Sequence, residues 1–329
     1  MINYNQTTDI KKVFDAYDAE LRLVEVRLEE LFKSDAPLIP LVGKYLLESG
    51  GKRLRPLFLL SGARLAGYKG TDHTILAGII ELIHMASLLH DDVVDGAKLR
   101  RGKAAAHSLW GNQVVILVGD FLYSNALKKA VSFRSQRIME ALSEATTSMT
   151  EGEILQLQKT SDISITEEEY TRIISAKTGI LISAACRIGA ILSLGSSAEE
   201  NALARFGLKS GTAFQMADDI LDYKADESEL GKKLGKDIEE GKITLPLIYL
   251  FKNASDNEKE EIKRIIENFS EEGLQRVLAL FRQYDVLEKS LARAEEIVNE
   301  AKAELSIFPD SPERDYMLCI ADYAISREK

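Results

Sequence analysis

The chain is 329 residues long, 45% apolar and 7% aromatic, and carries a formal net charge of −10. The negative charge argues against general affinity for nucleic acid, but locally concentrated basic residues remain compatible with an anionic substrate. Its two cysteines, Cys186 and Cys319, form no CxxC pair, which disfavours a disulfide scaffold and indicates a reducing compartment.

Apolar residues recur with the helical period along nearly the whole chain, and no Pro-, Gly- or Ser-rich linker divides it. We therefore predict one domain, residues 1–329, built of long helices. No convincing alternating strand is found. The predicted helices cover residues 8–33, 37–48, 54–67, 72–95, 111–130, 134–159, 166–191, 197–223, 244–252, 257–269, 271–281, 284–304 and 312–326.

The sequence also predicts where the protein resides. Its first residues are polar and lack the pattern of a signal peptide. The apolar run from Ile75 to Ile83 is short and is interrupted by Glu81, so we expect no transmembrane segment. We predict a soluble cytoplasmic protein.

The pattern DDxxD occurs twice in apolar, helical stretches, at residues 91–95 and 218–222. The outer aspartates of each copy, four residues apart, share one face of a helix. Carboxylates crowded beside apolar residues repel one another and lose solvation, so a divalent cation is their natural partner. Two such faces opposed suit Mg²⁺ bound together with substrate phosphates. The alternative, a solvated acidic surface, is disfavoured because the pattern occurs twice.

Basic residues cluster in three glycine-containing segments, residues 50–56, 96–102 and 225–242, and two of these follow the aspartate motifs. Arginine offers a fork and lysine a point charge to a diphosphate, although each segment alone is equally compatible with a surface turn. The basic residues are Lys52, Arg53, Arg55, Lys98, Arg100, Arg101, Lys232, Lys233, Lys236 and Lys242.

A few other polar residues lie in the apolar helical stretches. Lys177 and Thr178 have few charged neighbours in sequence, and such a lysine must be paired or must extend to the surface. Gln215 lies one turn before Asp218, and His84 lies two turns before Asp91. Hydrogen bonds between helices are the alternative role for Gln215 and His84. No HExxH or other zinc-binding spacing occurs.

Together these motifs resemble those of the trans-isoprenyl diphosphate synthases, the polyprenyl synthetase family. The resemblance covers about residues 20–326. The matching stretches, in the family's order, are GGKRLRP at 50–56, LLHDDVVDGAKLRRGK at 88–103, GDFLY at 119–123, EGEILQL at 151–157, KTG at 177–179, FQMADDILDY at 214–223 and LGKKLGKDIEEGKITLP at 230–246.

The resemblance implies an all-α helical bundle around a deep central cavity, and a homodimer. It implies consecutive condensation of isopentenyl diphosphate onto an allylic diphosphate, such as farnesyl diphosphate, with Mg²⁺ as the cofactor. About three Mg²⁺ ions are expected in each active site with substrate bound, held by carboxylates and phosphates.

The resemblance also implies individual roles. The metal-binding residues are Asp91, Asp92, Asp95, Asp218, Asp219 and Asp222. The residues that contact the allylic diphosphate are Arg100, Lys177, Lys232 and Lys242. Those that hold isopentenyl diphosphate are Lys52, Arg55, His84 and Arg101. The catalytic residues are Lys177, Thr178 and Gln215, and the last two line the reacting carbons.

Product length is predicted from Ala86 and Ser87, which occupy the positions that gate the growing chain in this family. Ala86 lies five residues before Asp91, or roughly 7.5 Å along the helix. Both side chains are small and leave room for a long product. We expect about seven to ten isoprene units, with octaprenyl diphosphate as the first choice, for the side chains of isoprenoids or quinones.

Several alternatives stay open. A short-chain synthase, making geranylgeranyl or farnesyl diphosphate, shares the same motifs, as does a catalytic subunit that needs a partner. A class I terpene cyclase is disfavoured by the second DDxxD and by the Lys52 and Arg55 pair. A non-catalytic subunit is expected to have lost aspartates, and a carboxylate-rich metal bundle needs Glu-x-x-His pairs, which are not found near the aspartates.

Overall fold

The structure, a computed structural model, describes residues 9–224 and 234–326. These residues are predominantly helical, which confirms the all-α prediction. The α-helices are Ile10–Leu31 (α1), Leu38–Glu48 (α2), Leu54–Leu65 (α3), Asp72–Val94 (α4), Ala106–Trp110 (α5), Asn112–Val131 (α6), Gln136–Gln158 (α7), Glu167–Ile174 (α8), Ile180–Leu192 (α9), Ser197–Leu221 (α10), Lys236–Glu239 (α11), Leu245–Asn253 (α12), Asp256–Glu267 (α13), Glu271–Gln283 (α14), Val286–Glu304 (α15) and Pro312–Ser326 (α16).

Two predicted features of the secondary structure were wrong. The helix predicted over residues 166–191 is interrupted by a π-helical turn, Ser175–Gly179, between α8 and α9. A short antiparallel pair of strands, Leu99–Arg100 (β1) and Lys103–Ala104 (β2), follows the first aspartate motif. Neither feature is apparent from the sequence, because strands of two residues show no alternation and the displacement of the apolar period by one π turn is too small to recognise.

The chain divides into two compact units, which are described separately. Unit 1 comprises the described parts of Met1–Thr146, Leu181–Gly207 and Ile307–Ile320. Unit 2 comprises those of Thr147–Ile180, Leu208–Ser306 and Ala321–Lys329. The prediction of a single domain over residues 1–329 stays a prediction.

Helix α4 is central to unit 1, where it packs against α1, α3 and α6. Its apolar residues surround the helix instead of forming one stripe, and most of the helix is buried as far as Asp92. A helix that is apolar all round requires neighbours on several sides. Unit 1 therefore presents the first aspartate motif at the end of a rigid core element.

Helices α3 and α9 of unit 1 pack closely at glycines. A Cβ atom on Gly189 would lie 2.5 Å from the backbone nitrogen of Ala63, and one on Gly62 would lie 3.2 Å from the carbonyl oxygen of Cys186. The buried Cys186 and Phe58 add apolar contacts nearby. The two helices thus pack backbone against backbone, which only glycine permits at this distance.

In unit 2, α12 packs against α8, α14 and α15. Tyr223 packs edge-on against Phe281, with ring centroids 5.0 Å apart. Capping boxes begin α8 at Thr166 and α13 at Ser255, each with a glutamate three residues later. These caps fix where the helices start.

Two helical stretches, Asp72–Val94 and Glu167–Leu192, are long and apolar enough to cross a membrane by length and composition alone. In each stretch 72% of the apolar window is buried inside the structure. Such burial is typical of core helices, and it supports the prediction of a soluble protein.

We expect Gly189→Ala to lower the free energy of unfolding by about 1–3 kcal/mol, because its methyl group would press against the backbone of α3. The matched control is Gly78→Ala in α4, where the new Cβ would be 3.5 Å from its nearest neighbour. That substitution should be neutral or stabilising by up to about 1 kcal/mol. Denaturant unfolding measures both, and equal effects would contradict the close approach of α3 and α9.

Candidate active site

The first aspartate motif lies at the C-terminal end of α4. Asp92 is buried, and Arg100 binds its carboxylate through Nε at 2.8 Å and through a terminal nitrogen at 2.6 Å. Asp91 is half-buried and Asp95 is exposed. The motif therefore presents its outer carboxylates, while the middle one is held by an arginine fork.

Strands β1 and β2 position that arginine. The Tyr45 hydroxyl donates a hydrogen bond of 2.6 Å to the carbonyl oxygen of Ala104, and Lys103 Nζ donates one of 2.8 Å to the carbonyl oxygen of Glu48. Both bonds attach the strands to α2. Arg100 ends β1 and Arg101 follows it in the turn, so both belong to a hairpin that is held in place. Arg101 adopts a left-handed backbone conformation with φ of 50°.

The GDFLY stretch supports the first motif from α6. Gly119 faces the ring of His90, and a Cβ atom at this position would overlap the imidazole. The same ring stacks on Tyr123 at 6.0 Å, and its Nε2 lies 3.2 Å from the carbonyl oxygen of Ile116. Burial and the negative charge of Asp91 raise the pKa of Tyr123 to about 12. The phenol therefore stays neutral beside the aspartate.

Cationic side chains converge around His84, which also lies on α4. Arg55 places a terminal nitrogen 3.0 Å from His84 Nε2. Burial, and then the charges of Arg55, Arg100 and Arg101, hold the pKa of His84 well below its usual range. Burial and the charge of Arg100 likewise lower the pKa of Arg101. Such crowding of positive charge would be relieved by a bound anion, which makes this part of unit 1 a candidate anion site.

Lys52 and Gly51 complete this cationic region. Lys52 is exposed in the turn before α3. A Cβ atom on Gly51 would lie 2.9 Å from a guanidinium nitrogen of Arg101, so glycine leaves the space that this side chain needs. The structure thus brings together Arg55, His84 and Arg101, with Lys52 in the adjoining turn.

The predicted gate residues lie next to His84 on α4. Ala86 is fully buried. Ser87 is half-buried, and its hydroxyl donates a hydrogen bond of 2.9 Å to the carbonyl oxygen of His84. Both side chains are small, and their role as a gate stays a prediction.

In unit 2, the middle aspartate of the second motif ends a chain of hydrogen bonds. The buried Asp219 accepts a hydrogen bond of 2.6 Å from the Tyr170 hydroxyl and one of 2.8 Å from Gln215 Nε2. The Thr178 hydroxyl donates a hydrogen bond of 2.9 Å to Gln215 Oε1. Since a carboxylate only accepts, Asp219 sets which end of the Gln215 amide faces Thr178.

Negative charge is concentrated around this second motif. Burial, and secondarily the neighbouring Asp218 and Asp222, raise the pKa of Asp219 to about 7. The pKa of Asp237 is also raised well above its usual range, by burial and by repulsion from Asp219 and Asp222. The Asp237 backbone nitrogen donates a 3.1 Å hydrogen bond to Asp222 Oδ2. The sequence interpretation missed Asp237, although it lies in a matching stretch.

The π turn presents Lys177 and Thr178. Lys177 Nζ lies 2.6 Å from a carboxylate oxygen of Glu153 and 2.9 Å from Gln156 Oε1, both on α7. A Cβ atom on Gly152 would lie 3.0 Å from the Lys177 backbone nitrogen, so glycine permits this packing. The EGEILQL stretch therefore pairs Lys177 and brings α7 against the turn.

A cavity of about 120 Å³ in unit 2 adjoins these residues. Lys242 lines it and pairs with Glu240 at 2.6 Å. Lys232 lies outside the described residues. The residues that line the cavity are Gln156, Lys159, Thr160, Ile165, Tyr170, Ile173, Ile174, Lys177, Gln215, Asp219, Asp237, Lys242, Ile243 and Thr244.

The arrangement of the aspartates bears on metal binding. Within residues 9–224 and 234–326, no group of three or more His, Cys, Asp or Glu side chains stands ready to hold a metal ion. Burial, and then repulsion between the neighbouring aspartates, raises the pKa of Asp219 and of Asp237, so a cation bound there would be stabilising. Such a donor set fits a hard cation that takes its remaining ligands from water or from the phosphate oxygens of a bound molecule.

The chain is similar to known proteins over its whole length. The family model described as Polyprenyl synthetase matches residues 36–282. Octaprenyl diphosphate synthase of Escherichia coli is 39% identical over 98% of this chain and 100% of its own length. Heptaprenyl diphosphate synthase component 2 of Bacillus subtilis is 33% identical, with 98% and 94% covered.

One solved structure is similar in both fold and sequence. It is that of a polyprenyl synthase from Caulobacter crescentus CB15, complexed with calcium and isoprenyl diphosphate. Its TM-score to this chain is 0.93 at 38% sequence identity, with 99% of this chain and 100% of that chain covered.

The hydrogen bond from Tyr170 to Asp219 should stabilise the fold more than an ordinary buried bond. At pH 8, where Asp219 is ionised, we expect Tyr170→Phe to cost about 1.5–3 kcal/mol of unfolding free energy. The control is Tyr223→Phe, whose hydroxyl lies 3.3 Å from Thr244 Oγ1. A bond between two neutral groups should cost about 0.5–1.5 kcal/mol. Equal losses in denaturant unfolding would contradict a charged partner for Tyr170.

Proposed function

Because the chain belongs to the polyprenyl synthetase family and is a trans-prenyltransferase, we propose that it condenses isopentenyl diphosphate head-to-tail onto an allylic diphosphate to give a long-chain, all-trans polyprenyl diphosphate. The cationic region around His84 is the observation that carries this proposal. It supplies a second diphosphate site, which a cyclase does not need. The allylic substrate we expect is farnesyl diphosphate.

In unit 1, Lys52, Arg55, His84 and Arg101 are the proposed contacts of isopentenyl diphosphate. His84 with its lowered pKa is neutral at physiological pH, so it binds through a hydrogen bond while the arginines supply charge. Arg100 is the proposed contact for the allylic diphosphate. Its bond to Asp92 holds the guanidinium in place before substrate arrives.

Mg²⁺ is the proposed cofactor, about three ions in each active site, since Mg²⁺ favours carboxylate together with phosphate ligands. The outer aspartates, Asp91 and Asp95 in unit 1 and Asp218 and Asp222 in unit 2, are the proposed ligands. Asp92 and Asp219 stay predicted ligands and, through their hydrogen bonds, also hold Arg100 and Gln215 in place. When bound, Mg²⁺ would supply Lewis-acid stabilisation of the leaving diphosphate.

In unit 2, Lys177 and Lys242, with Lys232, are the proposed contacts of the allylic diphosphate. Lys177 would stabilise the negative charge that develops as the carbon–oxygen bond breaks. The hydroxyl of Thr178 and the amide of Gln215, oriented by Asp219, are positioned as dipoles for the allylic cation. The double bond of isopentenyl diphosphate then attacks this cation, and the released diphosphate accepts the proton that is lost.

The assembly we propose is a homodimer in the cytoplasm, without a nucleic-acid partner. Ile116 and Leu117 on α6 are 41% and 67% exposed, which is unusual for adjacent large apolar residues and suits a contact between subunits. Cys186 and Cys319 form no disulfide in the described part of the chain, which suits a reducing compartment. A required second subunit is the alternative, favoured by the similarity to a protein described as a component.

The first test uses the purified chain with Mg²⁺, labelled isopentenyl diphosphate and farnesyl diphosphate, with products separated by length. We expect a ladder that ends at about seven to ten isoprene units, octaprenyl diphosphate being the main product. A ladder ending at three or four units would keep the chemistry and overturn the gate. If no allylic primer gives incorporation, the result would favour the alternative that a second subunit is required.

The proposed metal ligands should be essential in that assay. Replacement of Asp91 or Asp218 with alanine should lower turnover by about 100-fold or more, because charge on the leaving group would lose its stabilisation. Asp310→Ala is the control, since that carboxylate is 98% exposed and pairs with Arg314 at the start of α16. Near-normal turnover of either variant would contradict the metal-binding role.

Ala86→Phe should shorten the product, because a phenyl ring would fill the space that the growing chain needs along α4. Ala86→Ser keeps a small side chain and should leave product length unchanged. Product length from the same assay measures both, and thermal unfolding checks that each variant is folded. An unchanged product from folded Ala86→Phe would refute the gating role of this position.

A further inference from the structure

A group of partly buried ion pairs lies beside the cationic region of unit 1. Arg53 Nε lies 2.5 Å from Glu25 Oε1 on α1, and a terminal nitrogen of Arg53 lies 2.9 Å from Glu81 Oε1 on α4. The Arg53 and Glu81 side chains are only 10% and 7% exposed. We refer to these three residues as the Arg53 group. It joins the turn before α3 to two core helices.

The backbone of Arg53 gives the turn its direction. Its φ and ψ are 49° and 39°, the left-handed region, which is unfavourable for a residue with a Cβ atom. The carbonyl oxygen of Arg53 accepts a 3.1 Å hydrogen bond from the Leu57 nitrogen at the start of α3. Lys52 therefore lies on one side of this reversal and Arg55 on the other. The ion pairs with Glu25 and Glu81 offset the cost of holding Arg53 in this left-handed conformation.

The guanidinium of Arg53 also borders the region that would receive the diphosphate. A Cβ atom on Gly51 would lie 3.4 Å from a nitrogen of Arg53 and 2.9 Å from one of Arg101. The positive charge of Arg53 thus adds to that around Arg101 and His84, while Glu81 opposes it. Because Glu25 and Glu81 bind Arg53, its guanidinium is kept from solvent and does not compete with the other cations for the ligand.

We propose that Arg53, held by Glu25 and Glu81, is a positioning residue for isopentenyl diphosphate. It fixes the turn that directs Lys52 and Arg55 and keeps the space beside Arg101 open. This inference rests on the proposed function of the same site. Arg53 itself binds the two carboxylates and does not contact the diphosphate.

A purely structural clamp between α3 and α1 is the competing role, and unit 1 offers a matched control. Arg64, near the end of α3, donates a 2.9 Å hydrogen bond from Nε to Glu20 on α1 and lies over the ring of Tyr17. Arg64→Met removes an arginine–glutamate pair to the same helix α1, far along α3 from the Lys52 turn. Loss of stability alone would therefore affect both variants.

The test compares Arg53→Met and Arg64→Met by steady-state kinetics and by calorimetric binding of isopentenyl diphosphate without allylic substrate. We expect Arg53→Met to raise KM and Kd for isopentenyl diphosphate about tenfold, the effect of misplacing one charged contact made by Lys52 or Arg55. Its KM for the allylic diphosphate should not change. Arg64→Met should leave all three constants at wild-type values. Arg53→Lys retains charge without the fork and should not restore binding.

Two results would overturn the inference: unchanged KM and Kd in folded Arg53→Met, or equal rises in both variants. If Arg53→Met does not fold, Glu25→Gln is measured instead, because it weakens the ion pair between Arg53 and Glu25 and keeps the bond from Arg53 to Glu81. A smaller rise in the same two constants is then expected, and no rise would overturn the inference. A wild-type chain that incorporates no isopentenyl diphosphate would instead refute the proposed function.

Discussion

Repulsion between like charges is the constraint on which the rest of this molecule depends. Unit 1 holds several cations around a buried imidazole, and unit 2 holds four carboxylates around α10 and α11. Neither arrangement would persist on a flexible surface, because the side chains would separate into solvent. The long buried helices, the glycine contacts between them and the paired side chains at their ends all serve to keep such groups in place.

The two aspartate motifs share a principle of construction, although their partners differ. In each, the middle aspartate is buried and accepts hydrogen bonds from other side chains, Arg100 in one and Tyr170 with Gln215 in the other. A carboxylate that is fully hydrogen-bonded keeps its direction, and it transmits that direction to the group bound to it. One DDxxD pattern therefore combines outward-facing carboxylates with an internal support.

The helical class and most helix positions could be predicted from sequence, because apolar periodicity reports directly on burial. The residues around His84 could also be singled out, since they occur in short basic segments. What the pattern does not contain is the direction of a side chain. Arg53 and Arg55 look equivalent in GGKRLRP, yet one turns to Glu25 and Glu81 and the other to His84. Tyr170 and Asp237 were missed because their partners are remote in sequence.

The π turn at Ser175–Gly179 separates the packing of the flanking helices from the orientation of Lys177 and Thr178, which an uninterrupted helix would couple. A π turn contains more residues than an α-helical turn, so it shifts the apolar stripe of α9 relative to that of α8. Each stripe can then follow its own neighbours, while Lys177 and Thr178 remain where the wider turn presents them. The packing of α9 and the orientation of these two side chains are therefore set by different parts of the backbone.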